Sequence, residues 1–175
     1  AADSRNIGFE LTSSDFVFFL DSDDHFVGNI IDRRIAIHKN ESAGVVFGNY
    51  ITCNDSVMMA SSLPIYAGEG FRDYLFLSDG DCRTSTISVY KKLHKGTLFD
   101  SNSNKHQDWI FSILCSDNNE NVVFDEVPSV LINVERAGRM SSSMNIKAST
   151  YFCDEYLSDK KHLNVFSKKH WMSMI

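Results

Sequence analysis

The feature that most constrains this chain is an apolar run that ends abruptly in a cluster of acids. Residues 16–20 read Phe-Val-Phe-Phe-Leu, and Asp21-Ser22-Asp23-Asp24 follow at once. So short and aromatic a run reads as a fully buried strand. Three carboxylates within four residues repel one another unless a cation or hydrogen-bond donors offset them. Ligands in open α/β sheets gather beyond the carboxyl ends of strands, which is where these acids stand. Hard oxygen ligands suit Mg²⁺ or Mn²⁺, which bind through one or two carboxylates together with substrate phosphates. The rival reading is a solvated acidic loop. With 16 Asp in 175 residues, chance supplies about 1.4 Asp-x-Asp matches, so the triplet alone decides little. A second match, Asp79-Gly80-Asp81, sits in a Ser/Gly stretch and reads as a turn. A calcium loop of the EF-hand type is excluded, because His25 and Phe26 stand where it needs an Asp or Asn and a Gly.

The rest of the chain alternates strand-like and helix-like segments. Ile30 to Ile37 has a rough helical period, and Ala43–Cys53 reads as one strand. Val57–Tyr66 reads as a short hairpin region near Pro64, and Gly68–Leu77 as a helix. Thr84–Tyr90 alternates as a half-buried strand does. Trp109, Ile110, Ile113 and Leu114 mark an amphipathic helix. Strands are expected at Val122–Phe124 and Val130–Val134, around Pro128, and one or two helices after Lys147. This alternation predicts an α/β fold.

Composition narrows the function. Hydrophobic residues make up 43% and aromatics 12%, enough for a sizeable core and too many for a disordered chain. The net charge of −6 makes a nucleic-acid surface a poor reading. The lysines Lys147, Lys160, Lys161, Lys168 and Lys169 give residues 147–175 a basic excess. With Trp171, Met172 and Met174 they could meet an anionic membrane surface, although a solvated helix face is the plainer reading. Cys53, Cys82, Cys115 and Cys153 form no C-x-x-C pair, which argues against a zinc site and a disulfide framework and for reduced, mostly buried thiols. No apolar stretch is long enough to span a membrane.

Several segments in order resemble the family 2 glycosyltransferases of the GT-A fold. Ser4-Arg5-Asn6-Ile7-Gly8 is similar to that family's A-R-N-x-G segment, and Phe16–Asp24 to its strand ending in D-x-D-D. Gly48-Asn49-Tyr50 fits the following strand, and Gly96–Asp100 resembles the "G-x-F-D" loop. His106-Gln107-Asp108-Trp109 resembles the segment that opens the acceptor-side helix. Arg136 with Ser141–Met144 fits the later "R … S-x-S" stretch.

The resemblance implies a Rossmann-like mixed sheet flanked by helices, spanning residues 1–146, with 147–175 as a C-terminal helical extension. It implies inverting transfer of a sugar from a nucleotide-diphosphate donor to a hydroxyl of a glycan or lipid-linked acceptor, as in bacterial cell-surface polysaccharide synthesis. The expected place is the cytoplasm, at or near the inner face of the membrane. Asp23 would bind Mg²⁺ or Mn²⁺ on the diphosphate, and Asp21 would contact the ribose or support the metal. Arg5 would approach the nucleotide, and Asp108 would be the general base. Asp24 and His106 would stand behind these. A carboxylate at a helix start is held ionised by the helix dipole, so Asp108 is expected to have a lowered pKa. Its plainer reading is a helix N-cap or an acid of the first turn.

Family members begin with strands that hold the nucleobase, and only four residues precede Arg5 here. The expectation is a GT-A domain lacking its first strands. An open sheet edge would then be left for a second copy, and donor binding would be weak. Two other readings stay open. One is a haloacid-dehalogenase-like phosphatase with Asp21 as nucleophile, which also places D-x-D after an apolar strand. The other is a non-catalytic remnant that binds a partner through the open edge.

Overall fold

The computed structural model describes residues 1–54, 57–133 and 145–170. In chain order the elements are α1 (Ala2–Leu11), β1 (Phe16–Phe18), β2 (His25–Phe26), α2 (Ile30–Asn40), β3 (Val45–Gly48), β4 (Ile51–Asn54) and β5 (Val57–Ala60). Then come α3 (Phe71–Phe76), a 3-10 turn (Thr84–Thr86), β6 (Ser88–Tyr90), α4 (Gln107–Asp117), β7 (Val122–Asp125), β8 (Val130–Asn133), α5 (Ile146–Tyr156) and α6 (Lys160–His170). The main sheet has the order β1-β6-β3-β7 and the second β2-β8-β4-β5. In the first, β6 runs antiparallel to β1 and β3, while β3 and β7 are parallel. In the second, only β4 and β8 are parallel. The fold is α/β with mixed sheets, as the sequence implies.

The segment expected as one strand over Ala43–Cys53 divides, because β3 and β4 belong to different sheets. The break falls at Gly48-Asn49. A Cβ on Gly48 would lie 2.1 Å from the Asp125 carbonyl oxygen, so β7 approaches β3 more closely than a side chain allows. Asn49 is buried, and its polar atoms are matched. Its backbone N–H donates to Asp125 O (3.1 Å) and its Nδ2 to Glu126 O (2.9 Å). Its Oδ1 accepts from Ser61 Oγ and the Leu63 N–H, both at 3.0 Å. The chain from β7 to β8 makes the same passage between sheets beside it, since β7 pairs with β3 and β8 with β4.

Three burial expectations also change. β1 is half-buried rather than fully buried, because it forms an edge of the main sheet. The Thr84–Tyr90 segment begins as a 3-10 turn, and it is buried through Val89 because β6 lies inside the sheet. Helix α4 buries Ile110, Phe111, Ser112, Ile113 and Cys115, because α3 and α5 pack against it. The hairpin expected around Pro64 lies earlier, between β4 and β5.

The core is aromatic. The Phe47 ring meets Tyr66, Phe71, Tyr74 and Phe124 edge-on, at centroid distances of 5.8, 5.2, 5.6 and 5.2 Å. Helices α5 and α6 add Phe152, Leu157 and Phe166 to the same cluster. Cys82 and Cys115 are buried, Cys53 and Cys153 half-buried, and all four are free thiols. Behind the sheet, Arg34 is wholly buried and donates to Asp125 Oδ2 (2.6 Å) and to the Thr86 carbonyl (2.8 Å). Arg33 donates to the same carboxylate oxygen at 2.8 Å. This pair ties α2 and β7 to the 3-10 turn. No helix among the described residues is long and apolar enough to cross a membrane. Arg136, Ser141–Met144, Trp171, Met172 and Met174 lie outside the described residues.

Candidate active site

The acidic cluster leaves the end of β1 and folds back on itself. The Asp24 N–H donates to the Asp21 carbonyl at 3.1 Å, and β2 begins one residue later. Ser85 of the 3-10 turn fixes this bend from behind. Its hydroxyl accepts from the Asp21 N–H (3.0 Å) and donates to Asp24 Oδ2 (2.5 Å). Asp24 is buried, whereas Asp21 and Asp23 keep part of their surface. The sequence pattern placed the acids, but nothing in it pointed to Ser85.

Arg5 reaches the cluster from α1, at 2.6 Å from Asp21 Oδ1. Its other terminal nitrogen donates to Gln107 Oε1, also at 2.6 Å. Its guanidinium lies 5.4 Å from the Phe99 ring centroid. Next to Arg5, Asn6 exchanges two hydrogen bonds with the backbone of Phe99, at 2.8 and 2.9 Å. The segments 4–8, 21–24, 96–100 and 106–109 therefore meet, although they are far apart in sequence.

Gln107 and Asp108 open α4. The residue before them, His106, holds a left-handed conformation with φ 60°, unusual for a side chain larger than glycine. Aromatic packing holds it there. The His106 ring stacks on Trp109 at 5.0 Å and meets Phe152 and Phe166 at 5.0 and 5.5 Å. The C-terminal helices thus support the turn that presents Asp108.

Asp108 is an acid of the first turn of α4 and not its N-cap, which is His106. Its Oδ2 accepts from the Thr84 N–H at 3.3 Å and its Oδ1 from the Trp109 N–H at 3.0 Å. Its pKa is raised, not lowered, to about 6. Burial is the largest cause, and Asp81 adds to it, while Arg83 and the Trp109 N–H work the other way. The expected effect of the helix start is outweighed by loss of water around the carboxylate.

Asp81, from the triplet read as a turn, does not line the site but holds three side chains that do. It accepts from Tyr50 Oη (2.9 Å), Arg83 Nε (2.6 Å), Trp109 Nε1 (3.0 Å) and the Cys82 N–H (2.9 Å). Arg83 lies 5.7 Å over the Tyr50 ring, and burial pushes the Tyr50 hydroxyl up to about 12. Tyr50 stood in the Gly-Asn-Tyr segment, but Asp81 and Arg83 were missed. The acid–Cys–Arg spacing at 81–83 was the one available hint, and a turn explained it equally well.

Beside them lies a cleft of about 690 Å³. Arg5, Asp21, Asp23 and Asp24 line it together with Tyr50, Arg83, His106, Asp108 and Trp109. All six residues singled out in sequence are therefore at a single site. Chemically, the site joins an acidic group suited to a divalent cation, a raised-pKa carboxylate suited to proton acceptance, and arginines suited to phosphate.

No protein-family model matches the chain. It is 24% identical over 163 residues to an uncharacterized glycosyltransferase of Haemophilus influenzae, covering 91% of this chain and 62% of that protein. It is 24% identical over 176 residues to the amylovoran biosynthesis glycosyltransferase AmsB of Erwinia amylovora, covering 96% of this chain and 58% of that protein. The chain thus spans about three-fifths of the curated relatives it matches. Among solved structures, S. aureus TarS 1–349 in complex with UDP-GlcNAc superposes with a TM-score of 0.63 at 16% identity, covering 96% of this chain and 51% of that one. The same protein in complex with UDP gives 0.55 at 16% identity over 76% of this chain and 40% of that one. In sequence the chain is similar to named glycosyltransferases, and it shares the fold of one.

Proposed function

We propose that this chain carries the acceptor side and the metal-binding motif of an inverting glycosyltransferase that uses a nucleotide-diphosphate sugar. The observation that carries this reading is the single cleft lined by both Asp21–Asp24 and Asp108, with Arg5 bonded to both Asp21 and the start of α4. The relatives named above support a sugar transferase, and the UDP and UDP-GlcNAc held by TarS make a uridine nucleotide the first donor to test.

The donor set fits a hard divalent cation. Asp23, the second acid of the D-x-D motif, lines the cleft and keeps part of its surface there, and it is the carboxylate we assign to Mg²⁺ or Mn²⁺, with Asp21 beside it. Such a cation supplies positive charge to a diphosphate leaving group. Arg5 orients Asp21 and adds charge on the donor side. Asp108 takes the proton from the acceptor hydroxyl as that oxygen attacks the anomeric carbon from the face opposite the diphosphate, which inverts the centre. With a pKa of about 6 it is mostly ionised at neutral pH and is a better base than an ordinary aspartate. Trp109 and Tyr50 wall the acceptor side.

We assign the acceptor to glycans or lipid-linked saccharides of a cell-surface polysaccharide pathway, with the protein in the cytoplasm at the inner face of the membrane. The outer edge of β1, which pairs only with β6 among the described strands, is the place for a second copy to add.

Titration with UDP and Mn²⁺ tests the reading. Binding should require the metal and be lost in Asp23→Ala. Release of phosphate from an aryl phosphate, abolished by Asp21→Asn, would replace the transferase with a phosphatase.

A further inference from the structure

Away from the cleft, three side chains of different ligating chemistry meet in the interior. His94 follows β6, Cys115 lies in the last turn of α4, and Glu120 precedes β7. One ligand atom from each lies within 4.8 Å of the other two. The His94 and Glu120 side chains are 1% and 0% exposed, and Cys115 is fully buried. None of the three lines the cleft, and the proposed reaction uses none of them.

A buried imidazole–carboxylate pair is stabilising only when its polar atoms are matched. Here the matching is incomplete. Glu120 Oε1 accepts from His94 Nδ1 and, at 3.0 Å, from the Lys95 N–H. Glu120 Oε2 is buried without a direct hydrogen bond, and the Cys115 thiol lies against the same carboxylate. The surroundings are those of a ligand set. His94 Nε2–H donates to the Thr97 carbonyl at 2.8 Å, which fixes the ring and leaves Nδ1 facing the carboxylate. Metal-ligating histidines almost always hold their second nitrogen on a carbonyl or carboxylate in this way. The Thr97 hydroxyl lies against the Cys115 thiol, and the Lys95 amide steadies Glu120. One sulfur, one imidazole nitrogen and one carboxylate oxygen are ligands that zinc accepts together, whereas Mg²⁺ and Ca²⁺ select oxygen alone.

We propose that His94, Cys115 and Glu120 hold a zinc ion, with a water as its fourth ligand, and that this ion ties α4 to the turn after β6 and to the entry of β7. Binding exchanges one Zn²⁺ for two protons, one from the Cys115 thiol and one shared by His94 and Glu120, and both pass to solvent. The spacing 94, 115, 120 matches no C-x-x-C pattern, so cysteine arithmetic argued against zinc. The fold supplies the ligand set that the spacing hides.

The site is independent of the proposed reaction and is tested without it. The chain is stripped with a chelator, dialysed and titrated with Co²⁺, then with Zn²⁺ in competition. The expected result is one equivalent bound per chain, with a thiolate-to-cobalt charge-transfer band. That band should vanish in Cys115→Ser, weaken in Glu120→Gln and persist in Asp23→Ala. Zn²⁺ should raise the melting midpoint of the wild type and leave that of Cys115→Ser unchanged. Circular dichroism checks that both variants fold, and Glu120→Gln keeps the test decisive if Cys115→Ser does not. Absence of the band, its survival in Cys115→Ser, or full-strength binding in Glu120→Gln would overturn the proposal and leave a His94–Glu120 ion pair only.

Discussion

Replacing Asp108 with Asn should make the protein more stable while removing its proposed base. The carboxyl has a pKa of about 6 against an ordinary 3.8, because burial disfavours its charge. Each unit is worth about 1.4 kcal/mol, so keeping this group ionised at pH 7 costs the fold up to ~3 kcal/mol. Part of the residue still faces the cleft, and water there reduces the cost, so a gain of about 1–3 kcal/mol is expected. Asn is nearly the same shape, and its oxygen can still accept from the Thr84 or Trp109 N–H. The pH dependence follows in sign. The folded protein holds the Asp108 proton more tightly than the unfolded chain does. That advantage is complete below pH 3.8 and is lost as pH rises through about 6. The variant should therefore exceed the wild type at pH 7, and the gap should close as the pH falls towards 4. Urea unfolding at pH 7, 6, 5 and 4 measures it directly. A variant no more stable than the wild type at pH 7, or a gap that does not shrink in acid, would refute the burial argument.

Other perturbations probe the scaffold and the chemistry. Asp125→Ala leaves Arg34 charged and unpaired in the core, so it should cost about 3–5 kcal/mol, read as a lower urea midpoint. Arg5→Ala removes the link from Asp21 to Gln107, and nucleotide affinity should fall about tenfold while the fold is kept, since charge-assisted hydrogen bonds contribute about 1.5–3 kcal/mol. Transfer activity, where an acceptor is supplied, should drop about tenfold per pH unit below 6 as Asp108 takes up its proton.

The parts of the site visible in the sequence were those written as compact motifs. The acids after β1, the Arg5 segment and the opening of α4 each carry local chemistry in a few residues, and their order specified the fold. What stayed hidden depends on distant partners. Ser85 matters because the 3-10 turn lies under Asp21 and Asp24, and its flanking residues read as an ordinary strand. Asp81 resembled a turn acid until Tyr50, Arg83 and Trp109 converged on it. The break at Gly48-Asn49 was masked by apolar residues on both sides, since periodicity does not register a change of sheet. The Asp108 pKa was misjudged in direction because a helix start is visible in sequence, whereas the burial that outweighs it is not.

The central claim is that Asp21–Asp24 and Asp108 face each other across a sugar-transfer site. A crystal structure of the chain soaked with UDP and Mn²⁺ tests it most directly. The account predicts a metal between Asp23 and the diphosphate, in the cleft that Asp108 lines. Mn²⁺ bound away from Asp23, or UDP seated outside that cleft, would contradict it.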